Sequence, residues 1–155
     1  MFKKALLITS LIFTMSCGYE ALHSKKNILN NDNFSIEKIN FIGDRDINIK
    51  IKKNLSRFLN TKKDKHFTLE IKSEAFKKTV AKDSKGDPSI FSLDTKTTIQ
   101  LTGANNFSEK IILTENFKYN NNEDKFEIRR YEREIKENLA QKIAKDLIFK
   151  LSNSK

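Results

Sequence analysis

Apolar and polar residues alternate with a period of two in three segments, which predicts β-strands at residues 36–42, 90–101 and 110–119. In each segment the large apolar side chains fall on one face. Thr95 and Thr97 continue that face in the middle strand, where threonine suits a pleated surface. The apolar face consists of Ile39 and Phe41, then Phe91, Leu93, Ile99 and Leu101, then Ile111, Leu113, Phe117 and Tyr119.

A further strand begins at Phe67, and its apolar and polar residues alternate as far as Ile71. The later apolar residues Phe76 and Val80 lie at even-numbered positions, so the phase of the alternation changes. This change predicts a bulge or a bend between Ser73 and Phe76.

Two segments show helical spacing of apolar residues, which predicts two amphipathic helices. The first is capped by Asp44 or Asp46 and ends near Asn60. The second spans residues 124–151, and its charged segment 129–133 is expected to pair within itself on an exposed face. The apolar stripes consist of Ile47, Ile51, Leu55, Phe58 and Leu59 in the first helix, and of Ile128, Tyr131, Ile135, Leu139, Ala140, Ile143, Ala144, Leu147, Ile148 and Leu151 in the second.

The order of these elements is β-α-β-β-β-α, which predicts an α+β fold. One apolar face per strand and one stripe per helix imply a two-layer sandwich, with two helices packed on one face of a four-stranded sheet. The opposite sheet face carries threonine, lysine and glutamate, so it can face water or a partner. We predict one domain at residues 34–151, followed by a polar tail at residues 152–155.

Residues 1–16 have the pattern of a secretory signal peptide: Lys3 and Lys4 precede the apolar stretch 5–13, and small or polar residues follow. The apolar stretch is well short of the roughly 20 residues that cross a bilayer as a helix, so a retained transmembrane anchor is the weaker interpretation. Residues 17–33 are polar and aperiodic, which predicts a flexible tether.

Cys17 is the only cysteine of the chain and follows the predicted signal peptide directly. Residues Thr14–Cys17 resemble a lipobox, at which bacteria acylate the cysteine and cleave just before it, although Thr14 stands where leucine is usual. Acylation, for example with palmitate, explains a lone cysteine in an exported chain and anchors it in a membrane. By similarity to other lipoproteins, Gly18 indicates sorting to the outer membrane. The alternative is an ordinary signal peptide followed by an unmodified cysteine.

The formal charge of +10 falls to +8 when Lys3 and Lys4 leave with the signal peptide. An excess of positive charge favours contact with nucleic acid, contact with anionic lipid, or simple solubility. An exported chain does not meet nucleic acid, so we predict no nucleic-acid partner.

No residue pattern indicates catalysis or a cofactor. His23 and His66 are the only histidines, and no spacing typical of a metal site occurs. Glu70, Glu74 and Asp94 are not distinguished from surface carboxylates, and there is neither a nucleophile elbow nor a glycine-rich phosphate loop. We therefore predict no catalytic residue, no metal, no cofactor and no enzymatic activity.

A basic stretch at residues 77–85 leads into the chain's strongest turn signal, Ser84–Pro88. Its lysines are Lys77, Lys78, Lys82 and Lys85. Two interpretations remain open at this point. The lysines form an anion site at the end of a strand, or they protect an edge strand from aggregation.

The order of these features resembles the LPS-assembly lipoprotein family, LptE. The local matches are Cys17–Tyr19, the stretch 82–101, and residues 117–120 leading into the last helix through Ala140 and Leu151. The resemblance extends over nearly all of the chain after the signal peptide, and it implies the same arrangement of two helices on a four-stranded sheet.

The resemblance also implies a function. Members of that family sit inside the large outer-membrane barrel LptD, assist its assembly, bind lipopolysaccharide and take part in its transport to the outer leaflet. The corresponding expectations here are an LptD-like barrel partner, a lipid anchor at Cys17, and lipopolysaccharide contacts at Lys82, Lys85 and Lys78. The alternative is an unrelated envelope lipoprotein that acts as an adaptor or scaffold.

Overall fold

A computed structural model describes residues 33–154 of the chain. The predicted signal peptide, Cys17 and all of the predicted tether except Asn33 lie outside the described residues. The elements are β1 (Phe34–Gly43), α1 (Arg45–Leu55) with a 3-10 turn at Ser56–Phe58, β2 (Lys65–Lys82), β3 (Pro88–Gly103), β4 (Ser108–Asn120) and α2 (Lys125–Asn153).

The four strands form one sheet in the order β1-β2-β3-β4. β1 and β2 are parallel, so they need a crossover connection, and α1 supplies it. The strands from β2 to β4 are antiparallel neighbours joined by short turns. The predicted fold class and the order β-α-β-β-β-α are confirmed. The last helix continues to Asn153, two residues beyond its predicted end.

Both helices pack on the same face of the sheet and share one apolar core with it. The core takes inward-facing residues from all four strands and from the predicted stripes of both helices. A second, smaller cluster joins the other end of the sheet to the first half of α2 and consists of Leu93, Tyr119, Ile128, Ile135 and Leu139, with Phe91 packed against it. Within residues 33–154 the sheet is therefore covered by helices on one face, and none of the described elements covers its outer face.

The start of α1 is fixed by a side-chain cap. Of the two predicted capping residues, Asp44 fills the role: its carboxylate accepts hydrogen bonds from the backbone N–H groups of Asp46 at 3.0 Å and Ile47 at 3.1 Å. The other oxygen of Asp44 accepts from Lys136 Nζ at 2.8 Å, which ties the start of α1 to α2. This corner holds both helices against β1 and β2.

The predicted irregularity between Ser73 and Phe76 is wrong, because β2 keeps one register with β3 from Phe67 to Thr79. Ser73 continues the inward face and is fully buried. Its hydroxyl donates to Asn48 Oδ1 at 2.7 Å, so the fold accepts a polar group there without a change of phase. Phe76 lies on the outer face and is 47% exposed. The shifts in register occur later, around Ala81.

Thr97 gives a stability prediction. It is fully buried on the inward face, beside Ser73 and Leu113, and its Oγ1 has no hydrogen-bond partner among the described residues. An unpaired buried hydroxyl costs roughly 1–3 kcal/mol, and valine keeps the branched shape that suits a strand. We expect Thr97→Val to raise the free energy of unfolding by about 1 kcal/mol in urea titration.

The neighbouring Thr98 supplies the control, because it lies on the outer face and is partly exposed. Thr98→Val should change the free energy of unfolding by no more than about 0.5 kcal/mol. A clear loss of stability in Thr97→Val would mean that its hydroxyl forms a bond that the geometry does not account for.

Candidate functional site

The β2–β3 hairpin is the longest feature of the sheet, with strands of 18 and 16 residues. Its turn is built by Asp83, whose carboxylate accepts hydrogen bonds from the backbone N–H groups of Lys85 and Asp87, both at 2.9 Å. Gly86 has φ +90°, a conformation that glycine adopts readily. The predicted tight turn is therefore present, and it ends the basic stretch.

Lys82 and Lys85 lie at the tip of this hairpin, and both are exposed. Neither enters an ion pair within residues 33–154. Asp83 and Asp87 occupy the same turn, so the formal charges of the tip cancel. Asp83 is engaged in holding the turn, whereas the two amines and the Asp87 carboxylate have no side-chain partner within residues 33–154.

Lys78 lies lower on the hairpin, on the outer sheet face. Its Nζ is 2.6 Å from Asp94 Oδ2. The hydrogen bond from Lys78 and a second one from the Ser92 hydroxyl hold the pKa of Asp94 below its ordinary value. Lys78 is therefore partly neutralised, and it does not form one cluster with the two tip lysines.

Lys118 is a residue that the sequence analysis missed. The register places Lys78, Ser92 and Lys118 in one row across β2, β3 and β4. Successive side chains of a strand point to opposite faces. Lys118 directly precedes the inward-facing Tyr119, so the sequence could have assigned Lys118 to the outer face. The outer face thus carries two lysines on either side of a serine, next to the single carboxylate of Asp94.

Lys77 points the other way and is not available to a ligand. Its Nζ is 2.6 Å from Glu132 Oε1 and lies 3.8 Å from the centre of the Phe91 ring. The same Glu132 oxygen accepts a hydrogen bond from Tyr119 Oη at 2.6 Å. This inward cluster joins the hairpin and β4 to α2.

The cluster shifts the pKa of both of its acidic groups, Glu132 and Tyr119. Burial acts to raise the pKa of Glu132, but the hydrogen bonds from Lys77 and Tyr119 outweigh it and hold that pKa below its ordinary value. Burial and the Glu132 carboxylate both raise the pKa of Tyr119. The ion pair is thus present at neutral pH.

The expectation that segment 129–133 pairs within itself is wrong for Glu132. Arg130 instead pairs with Glu127, one turn earlier, at 2.7 Å. Glu132 faces the sheet because it follows Ile128 by four residues and so lies on the buried stripe of α2. That spacing was readable in the sequence.

The described residues contain no group of three or more side chains that could hold a metal ion. Among the helices of residues 33–154, none is long and apolar enough to cross a membrane.

A four-stranded sheet with both helices on one face defines the class of fold, and three lipoproteins of known structure share it. Rare lipoprotein B from Shewanella oneidensis matches with a TM-score of 0.58 at 8% identity, covering 74% of this chain and 92% of that one. A minor lipoprotein from Acinetobacter baumannii matches with a TM-score of 0.54 at 13% identity, covering 75% and 90%. A lipoprotein B from Nitrosomonas europaea matches with a TM-score of 0.53 at 12% identity, covering 78% and 85%.

No family model matches the chain, and no curated protein matches it. At the identities of the structural matches, the similarity establishes a common fold. The predicted structural resemblance is confirmed at that level.

Proposed function

We propose that this chain is an outer-membrane lipoprotein, anchored through acylated Cys17, that occupies the lumen of an LptD-like barrel and takes part in lipopolysaccharide transport. The observation that carries the proposal is the fold: three proteins described as lipoproteins share it over most of their length. The lipobox-like sequence at Thr14–Cys17 is independent support from the N-terminus.

The outer sheet face supports the lumen as the place of the domain. It carries lysine, threonine and carboxylate side chains, together with exposed apolar groups at Ile42, Phe76 and Ile112. The lumen of an outer-membrane barrel is polar, and a mixed surface of this kind can pack against it while its charges remain hydrogen-bonded. Within residues 33–154 the helices cover the other face, so the outer face is the one proposed to contact a wall.

Co-purification tests the proposal. A tagged full-length chain is expressed in its host, extracted from outer membranes in mild detergent and captured, and the bound proteins are identified by mass spectrometry. Recovery of a large barrel protein in equal amount is the expected result. Recovery of the chain alone would count against the lumen proposal, and recovery with a different envelope complex would favour an adaptor or scaffold.

The tip lysines give a second test. We expect Lys82→Glu combined with Lys85→Glu to weaken binding of purified lipopolysaccharide by on the order of tenfold at low salt, because amines attract the lipid A phosphates as point charges. The affinity is measured by titration at two salt concentrations.

Lys62 and Lys63 provide the matched control, since they are exposed and lie in the loop before β2, at the opposite end of the strand. Lys62→Glu with Lys63→Glu changes the net charge equally and should leave the affinity within about twofold. Equal losses in both double variants would assign the effect to overall charge and remove the hairpin tip as a site.

A further inference from the structure

A groove lies between the end of β4 and the first turns of α2, with a volume of about 580 Å³. Sites for small ligands commonly span about 300–1,000 Å³. β4 is an edge strand, so the groove lies at the edge of the sheet. Its lining includes Lys118 of the outer face but none of the hairpin lysines.

Two aromatic side chains border this groove. Phe117 follows the inward alternation of β4 and Tyr131 projects from α2, yet each is 44% exposed. Between them lies Tyr119, which is buried and meets the Tyr131 ring edge-to-face with 6.0 Å between ring centres. Tyr119 is held in turn by its hydrogen bond to Glu132. The groove is therefore floored by a buried ring and bordered by two partly exposed aromatic side chains.

The formal charges of the residues that line the groove sum to zero. Its lining includes Lys118, Arg130, Glu127 and Glu134, and Arg130 is paired with Glu127 at 2.7 Å. A phosphorylated ligand would therefore gain little from the field of this site. A bare acyl chain is disfavoured as well, because it would take polar groups out of water without replacing their hydrogen bonds.

Unused hydrogen-bonding groups line the same groove. Within residues 33–154, the Glu134 carboxylate and the Asn120 side-chain amide have no hydrogen-bond partner. The Asn121 and Asn122 side chains, by contrast, are already engaged in the turn, with the carbonyl of Pro88 and the backbone N–H of Asp124. The free groups are thus one amide and one carboxylate near two exposed rings.

We propose that this groove binds an uncharged oligosaccharide of pyranose rings. Such a sugar presents a face of C–H groups, which packs on aromatic rings, and a rim of hydroxyls, which bond to amides and carboxylates. Phe117 and Tyr131 supply the ring faces, and Asn120 and Glu134 supply the polar contacts. The proposal does not rest on the barrel or on lipopolysaccharide transport.

Titration of the purified chain with chitotriose and, separately, with maltotriose tests the proposal, followed by calorimetry or by NMR shifts. Binding of at least one of the two sugars is expected, together with a loss of about tenfold in Phe117→Ala and in Tyr131→Ala. Tyr131→Phe keeps the ring and should stay within about twofold. Phe149→Ala is the matched control, since Phe149 is 71% exposed on the same helix but does not line the groove.

Circular dichroism melting of each variant verifies the fold. If Phe117→Ala does not fold, Tyr131→Ala and Glu134→Gln carry the test, because both positions lie on the exposed side of α2. The proposal is overturned if neither sugar binds at millimolar concentration, if the groove variants bind as tightly as Phe149→Ala, or if only a phosphorylated oligosaccharide binds.

Discussion

Gly43→Ala should lower the free energy of unfolding by about 3 kcal/mol or more, the largest loss expected from any single methyl group in this domain. Gly43 ends β1 at φ +96°, where a side chain is strained. A Cβ at this position would also lie 1.9 Å from the carbonyl oxygen of Ser73. The two backbones must separate to admit it.

That separation would disturb the contacts between Ser73 and Asp44 at the start of α1. The Asp44 backbone N–H donates to the same Ser73 carbonyl oxygen at 2.9 Å, and Ser73 Oγ lies 3.2 Å from the Asp44 carbonyl oxygen. Asp44 in turn caps α1 and binds Lys136 of α2. One added methyl group would therefore weaken the β1–β2 pairing, the cap and the contact between the helices together.

Gly86 allows the cost of backbone strain to be measured without the steric clash that a side chain at Gly43 would make with Ser73. It has a similar φ of +90°, but a Cβ there would meet nothing within 4 Å. Gly86→Ala should therefore cost only the backbone strain, about 1 kcal/mol. Urea titration of both variants measures the difference. Equal costs at the two positions would show that the close approach to Ser73 relaxes easily and that strain alone matters.

The sequence predicted those parts of the fold in which a periodic pattern is unbroken. The helical stripe from Ile135 to Leu151 and the alternation of β3 match the structure, because burial on one face leaves a direct trace in the pattern. The alternation of β4 matches as well, except that Phe117 is 44% exposed. The pattern failed at Ser73, where hydrogen bonds to α1 satisfy a buried polar group. A partner distant in sequence cannot be read from local periodicity.

The candidate site was predictable in part for the same reason. The hairpin and its tip lysines follow from local turn chemistry at Asp83 and Gly86. The assignment of Lys77 and Lys118 depends on strand register, which is fixed by pairing between strands. The groove beside Phe117 is formed by residues of both β4 and α2, so it cannot be predicted from the sequence of either segment alone.

Cys17→Ala should release the chain from the membrane fraction. Acyl chains contribute about 0.8 kcal/mol per buried CH₂ group, so loss of the acylated cysteine removes most of the free energy of anchoring. Carbonate washing of membranes, followed by immunoblotting, measures the attached fraction, and mass spectrometry of the N-terminus reports whether lipid is present.

Thr14→Leu is the matched control, because it changes the same segment toward the usual lipobox and should leave both the lipid and the membrane attachment in place. Both positions lie outside the described residues, and we expect neither substitution to alter the urea denaturation curve of the domain that contains β1 to α2. If Cys17→Ala stays on the membrane, the anchor must lie elsewhere. Repeating the wash after dissociation of any co-purifying barrel then separates two remaining causes. Release at that step would assign attachment to protein contacts, whereas continued attachment would assign it to a retained N-terminal segment.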